Sequence, residues 1–246
     1  MAHGSVAAII PAAGQGVRMG SKKQFLRLDG VPIFIRTLRK LADCPDVTEL
    51  FMAAPREDIE AIEQNIQDER IEKPVTVVEG GASRQESVGN CLRCLAGDTD
   101  LVAVHDAVRP FVSAEMISSV IAEAARSGAS ILGILSMDTV KQVRQTRIVG
   151  TIPREQIVLA QTPQVFRYSV LKQAFDKARA ESFVGTDEAS LVEHLGVDVT
   201  VVPGSERNIK ITTPADLELA RFYLGQELAG AASPPALSTA RSRRGG

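Results

Sequence analysis

The run Val6-Ala7-Ala8-Ile9-Ile10-Pro11-Ala12-Ala13-Gly14-Gln15-Gly16-Val17-Arg18-Met19-Gly20 passes from an unbroken apolar segment into a loop of small residues, and Lys22-Lys23-Gln24-Phe25 follow. The apolar part reads as a buried first strand. Small side chains and glycines let backbone N–H groups close around an anion. Arg18, Lys22 and Lys23 add full positive charges at the same place. Together these features point to a bound polyphosphate.

Two better-known loops are excluded. The dinucleotide fingerprint needs a third glycine where Met19 stands, and an acid at the tip of the second strand to hold a ribose. The second strand, expected over Leu50 to Ala53, ends instead in Ala53-Ala54-Pro55. A P-loop needs Gly-Lys-Ser/Thr, and Gly20-Ser21-Lys22-Lys23 has another order.

Outward from this loop the chain alternates strand and helix. Helices are expected from Pro32 through Leu41, over Glu57–Ile66, from about Arg84, over Ala114–Ser127, around Val170–Ala180, from Asp187 with Thr186 as cap, and from Thr213-Pro214 to about Leu228. Strands are expected at Leu50–Ala53, Val75–Val78, Leu101–Val104, Ser130–Leu135 and Val197–Val202. Ser83 and Glu86 have capping-box spacing. Such alternation predicts an α/β fold with a mostly parallel, Rossmann-like sheet covered by helices on both faces. Residues 138–160 break the rhythm and suggest a protruding β-arm, whose apolar positions imply a second subunit. One domain over residues 5–228 is expected, with 229–246 a disordered tail lacking periodicity.

The 246 residues suffice for one sizeable domain. A net charge of −2 disfavours nucleic acid as partner. No apolar run is long enough for a membrane span, and no secretion signal is recognised, so a cytoplasmic protein is expected. Cys44, Cys91 and Cys94 make no disulfide framework. Cys91 and Cys94 read as core-facing residues one helical turn apart.

Polar motifs recur where strands should end, which is where ligands bind in doubly wound sheets. Gly80-Gly81-Ala82-Ser83-Arg84, with Ser87 one turn later, offers close backbone approach and a helix N-terminus, or simply a tight turn. In His105-Asp106-Ala107-Val108-Arg109-Pro110, Asp106 could partner a divalent metal. Arg109 could pair an anion or Asp106 itself, and His105 reads as packing or orienting rather than as a base. Asp138-Thr139 and Thr186-Asp187-Glu188 are explicable as a turn and a helix start. Lys210, between Ile209 and Ile211, is either a snorkelling edge residue or part of a site.

This ordered set resembles the 2-C-methyl-D-erythritol 4-phosphate cytidylyltransferases over about Val6 to Leu224. The resemblance is carried by Pro-Ala-Ala-Gly-x-Gly-x-Arg-Met at 11–19, Lys-Gln-Phe at 23–25, Gly-Gly-x-x-Arg at 80–84 and His-Asp-Ala-Val-Arg-Pro at 105–110. Thr-Pro-Gln at 162–164, Thr-Asp-Glu-Ala at 186–189 and Asn-Ile-Lys at 208–210 complete it. It implies a fold of the nucleotide-diphospho-sugar transferase type and transfer of a cytidylyl group from CTP to a sugar-alcohol phosphate, with release of pyrophosphate.

By that resemblance, Pro11, Ala12, Ala13, Gly14 and Gly16 hold CTP, with Arg18 and Lys23 on its α-phosphate. Gly81, Ala82, Arg84 and Ser87 line the nucleoside pocket. Some relatives have Asp where this chain has Ala82, so only a backbone contact carries over there. Asp106 and Ala107 lie by the phosphates, Asp106 beside Mg²⁺. Arg154 and Lys210 position the acceptor, with Arg109, Thr139 and Thr186 around it, and a homodimer forms through the arm. The alternatives are a ribitol 5-phosphate cytidylyltransferase, which shares several motifs, and an NAD(P)-dependent reductase, disfavoured by the missing ribose acid.

Overall fold

The computed structural model describes residues 4–14, 25–69 and 71–232, the side chains of 230–232 excepted. Gly16, Arg18, Lys22 and Lys23, named above, lie outside the described residues. The chain begins with β1 (Ser5–Pro11), then a two-residue hairpin of β2 (Arg27–Leu28) and β3 (Val31–Pro32), and α1 (Ile33–Ala42). There follow β4 (Glu49–Ala54), α2 (Ile59–Asp68), β5 (Val75–Glu79), α3 (Arg84–Leu92), β6 (Thr99–Val104), α4 (Ala114–Ser127) and β7 (Ala129–Leu135). The arm is β8 (Val140–Arg144) paired with β9 (Arg147–Ile152). The chain ends with β10 (Val158–Arg167), α5 (Tyr168–Ala180), α6 (Glu188–Leu195), β11 (Thr200–Pro203) and α7 (Pro214–Ala232).

Seven strands form one sheet in the order β11-β7-β10-β6-β1-β4-β5. Only β10 runs against its neighbours, so the sheet is mostly parallel, as expected. The unbroken apolar run of β1 has a physical reason. Val6, Ala8 and Ile10 pack on one face with residues of α1, α2 and α4, while Ala7 and Ile9 pack on the other with α3, α5 and α6. A strand at the middle of a two-faced sheet must be apolar at every position. β1 is also the switch point, because the chain steps outward through β4 and β5 and then returns to β6 on its other side. The crevice beyond the carboxyl ends of β1 and β6 is therefore where a ligand fits.

Several boundaries differ from expectation. The sequence reading missed β10, a central strand that takes in 158–160 of the anticipated arm, so the arm is shorter than 138–160. α6 is capped by Asp187, not Thr186: its side chain accepts from Ser190 N, and the Ser190 hydroxyl completes a capping box. Asp caps well because its short carboxylate reaches the free N–H groups of the first turn. α7 runs to Ala232, four residues into the stretch expected to be a tail; 233–246 lie outside the described residues. At α3, Ser83 caps Glu86 N, but the Glu86 carboxylate returns to Ala82 N rather than to Ser83. Cys91 is buried, whereas Cys94 lies beyond the end of α3 and is exposed.

Candidate active site

Backbone hydrogen bonds continue the sheet beyond its strands and align three loops at the switch point. Ala12 N donates to Ala53 O at 2.8 Å, Gly80 N to Ala54 O at 2.8 Å, and His105 N to Ile9 O at 2.9 Å. The loops after β1, β5 and β6 thus end side by side. A Cβ on Gly80 would run into the Ala13 methyl and come within 3.1 Å of Ser87 Oγ. Glycine is needed there because the two loops touch. Ser87 is buried, and its hydroxyl accepts from Gly81 N at 3.1 Å and donates to Ser83 O at 2.8 Å. Ala13, in the loop after β1, therefore lies against Gly80 at the start of the turn that leads into α3. Ala12 is nearly buried and Gly14 exposed, so the loop rises from the core toward solvent.

Asp106 sits at the centre of what the next loops bring together. Its carboxylate meets Lys210 Nζ at 2.9 Å, Arg109 Nε at 3.2 Å and Arg84 Nη2 at 3.4 Å. Burial alone would raise its pKa, but these three cations hold it well below the usual carboxylate range. The side chain of Asp106 is 9% exposed and that of Lys210 43%, so the acid lies beneath the lysine. Arg109 takes the structural option left open above and pairs with Asp106, while its Nη1 donates to Asn208 O at 2.6 Å. Ala107 O accepts from Thr37 of α1 at 2.9 Å, and Ile211 N donates to Val108 O at 3.0 Å. The Asn208-Ile209-Lys210 segment is in this way fastened to the loop after β6, which sets Lys210 beside Asp106.

His105 is wholly buried between Thr162 and the Arg109 carbonyl, and burial pushes its pKa down to about 4. It links β10 to the loop after β6 and is neutral near pH 7. Glu188, read from the sequence as part of a helix start and of the Thr-Asp-Glu-Ala motif, has a further contact in the structure. It is buried, and both its carboxylate oxygens lie on Arg84 Nη1, one at 2.6 Å. Burial pushes the Glu188 carboxyl up. Burial would also lower the Arg84 pKa, yet Glu188 and Asp106 together raise it well above the usual value, so the guanidinium is firmly charged. The signal for Glu188 was available: it shares a helix with buried Ala189, Leu191 and Val192, and an acid on such a face needs a partner.

The cluster of Arg84, Arg109, Lys210, Asp106 and Glu188 carries one net positive charge, which suits an anionic ligand. The remaining expected residues lie elsewhere. Arg154 is exposed on a short turn after β9 and donates to Met137 O at 3.0 Å, two residues from exposed Thr139. Among the described residues neither is hydrogen-bonded to the Asp106 cluster. Thr186 is exposed on the turn before α6, two residues from Glu188.

An open α/β sheet with a cluster of cations at its switch point is the frame of a nucleotidyltransferase. A model of the 2-C-methyl-D-erythritol 4-phosphate cytidylyltransferase family matches residues 6–226. Proteins of that name from Solibacter usitatus and Acidobacterium capsulatum are 51% and 49% identical to this chain. The first match covers 91% of this chain and 97% of the relative, the second 89% and 96%. A solved 4-diphosphocytidyl-2C-methyl-D-erythritol synthase from Anaerococcus prevotii superposes with a TM-score of 0.81 at 29% identity, over 90% of this chain and 99% of that one. The chain belongs to the 2-C-methyl-D-erythritol 4-phosphate cytidylyltransferase family.

Proposed function

We propose that this chain transfers the cytidylyl group of CTP to the phosphate of 2-C-methyl-D-erythritol 4-phosphate, releasing pyrophosphate. The observation that carries the reading is the convergence of Arg84, Arg109 and Lys210 on Asp106 at the carboxyl ends of β1 and β6. A phosphate oxygen of the acceptor attacks the α-phosphorus of CTP. The bond from that phosphorus to the bridging oxygen breaks, and pyrophosphate leaves with the electron pair. The nucleophile is already an anion at pH 7, so the site needs no strong base. It must instead offset charge and align two phosphates. His105, neutral and held between Thr162 and the Arg109 carbonyl, suits that task.

Backbone groups of Ala12 to Gly14, with Gly16, hold the triphosphate, and Arg18 and Lys23 stabilise charge at the α-phosphorus. Gly81, Ala82, Arg84 and Ser87 line the nucleoside pocket. Lys210, the most exposed of the three cations on Asp106, is best able to turn from that acid to the acceptor phosphate. Arg109 and Thr186 lie around the acceptor.

The described residues contain no group of three or more His, Cys, Asp or Glu able to enclose a metal. One buried carboxylate fits a divalent ion whose other ligands are nucleotide oxygens and water, as is usual for Mg²⁺. Asp106 would hold such an ion through Oδ1, which carries only the long 3.4 Å Arg84 contact while Lys210 and Arg109 lie on Oδ2, and the ion would neutralise phosphate charge.

Arg154 and Thr139 reach the acceptor from the arm of a second copy. Val143, Ile148 and Val149 on the arm are each more than half exposed, as are Leu135, Met137 and Leu159 near its base, and a homodimer would cover them. No described helix is long and apolar enough to cross a membrane, and the proposed setting is the cytoplasm. The deciding experiment is turnover of CTP with the methylerythritol and ribitol phosphates in parallel, followed by phosphorus NMR of the product. Preference for ribitol 5-phosphate, or no cytidylylated product, would overturn the reading.

A further inference from the structure

Glu188 has no task in the reaction just described, yet the fold buries it at 1% exposure, directly behind Arg84. An acid is not needed there to start α6, because Asp187 and Ser190 already form the capping box. Nor does packing ask for one, since its neighbours Ala189, Leu191 and Val192 are apolar core residues. A desolvated carboxylate persists only with compensation, and what compensates it is the inner edge of one guanidinium. Both Glu188 oxygens take Nη1 of Arg84, whereas Nη2 faces Asp106 at a long 3.4 Å. One edge of Arg84 is therefore anchored and the other loosely held, which suits a group that must be presented to a ligand.

The surroundings brace this pair from both sides. Gln164 of β10 donates to Asp187 at 2.8 Å and accepts from Ala189 N at 3.0 Å, fixing the turn that carries Glu188. Gln85, next to Arg84, donates to Phe183 O at 3.2 Å and accepts from Gly185 N at 3.1 Å. The N-termini of α3 and α6 are thus clamped together with the ion pair between them.

We propose that Glu188 is a positioning residue for the nucleotide: its buried carboxylate holds the Arg84 guanidinium at the mouth in the orientation that receives CTP. The proposal rests on the nucleotidyl-transfer reading and deepens it. Its test uses Glu188→Gln, which keeps shape and removes charge, Glu188→Asp, which keeps charge one methylene short, Arg84→Ala, and the Arg84→Ala/Glu188→Gln pair. KM for CTP, KM for the acceptor and kcat are measured on the full chain, together with the calorimetric Kd for CTP alone.

Losing a charge-assisted contact of this kind raises KM and Kd for CTP about tenfold or more in Glu188→Gln, with the acceptor KM and kcat within about threefold of wild type. Glu188→Asp falls between wild type and Glu188→Gln. On the Arg84→Ala background Glu188→Gln adds nothing to the CTP effect, because it acts through Arg84. Wild-type CTP binding in Glu188→Gln overturns the proposal, as do effects of the two single changes that simply multiply. If Glu188→Gln does not fold, Glu188→Asp decides: a raised CTP Kd supports the role and an unchanged one overturns it. If the wild-type protein makes no cytidylylated product, the functional reading fails, and the calorimetric comparison still judges Glu188 by itself.

Discussion

The Thr162 hydroxyl stands 3.1 Å from His105 Nδ1 and accepts the Asp106 backbone N–H at 3.1 Å. Nε2 faces the Arg109 carbonyl at 3.0 Å, a group that can only accept, so Nε2 carries a proton. Burial favours the neutral ring, in which Nδ1 accepts from the Thr162 hydroxyl. These contacts join β10 to the loop after β6, so the Asp106 loop is held through a wholly buried ring that is costly to charge.

A pH dependence of stability follows. The folded pKa of His105 is lowered to about 4, below its ordinary 6.5, so between those values the unfolded chain binds more protons. Stability is complete above about pH 6.5 and is lost as pH falls toward 4. The His105 contribution between pH 7.5 and 5 is on the order of 2 kcal/mol. Urea unfolding at a series of pH values should show this slope in wild type and a shallower one in His105→Gln. Equal slopes would mean that His105 is not the group responsible.

Gly80→Ala should damage CTP binding by forcing apart the loops after β1 and β5, because its methyl meets Ala13. Overpacking at such a contact costs about 1–3 kcal/mol. Gly97→Ala, where a Cβ would meet nothing within 4 Å, is the matched control. The expected result is a CTP KM raised tenfold or more at Gly80 with no change at Gly97, and a similar KM for both variants would contradict it.

Most strands were legible because parallel strands buried on both faces write themselves as apolar runs, as in Val6–Ile10 and Leu101–Val104. β10 was not. Its middle, Gln161-Thr162-Pro163-Gln164, is polar and contains a proline, which argues against a central strand. Those residues are buried all the same, because Ser205, Asn208, Asp187 and Ala189 satisfy them from distant parts of the chain. No local pattern encodes such partners. The site divides in the same way. Asp106 was visible as an acid at a strand tip, whereas the Arg84–Glu188 pair spans 104 residues and exists only once α3 and α6 meet.

The arm offers a test of subunit contact. Ile148 is 64% exposed in the single chain, so Ile148→Asp should leave the folding stability of one subunit nearly unchanged. Sedimentation should show a shift from dimer to monomer. The acceptor KM should rise together with the dissociation, as it should in Arg154→Ala, while the CTP Kd stays the same. A monomeric wild-type protein, or a dissociated variant with unaltered acceptor KM, would separate the arm from the acceptor site.

Lys210 is 43% exposed and its ammonium sits on Asp106 at 2.9 Å, so its removal should disturb the reaction far more than the fold. Lys210→Ala should lower kcat/KM for the acceptor by about 10²–10³, the usual effect of losing one preorganised charge at a reacting phosphate. Thermal unfolding should move little, because Arg84 and Arg109 still face Asp106. Lys210→Arg keeps the charge but replaces a compact point charge with a broad fork, and should recover only part of the rate. Steady-state kinetics at fixed saturating CTP would read all three proteins. Lys210→Ala with near wild-type acceptor turnover would assign the lysine to neutralising Asp106 alone.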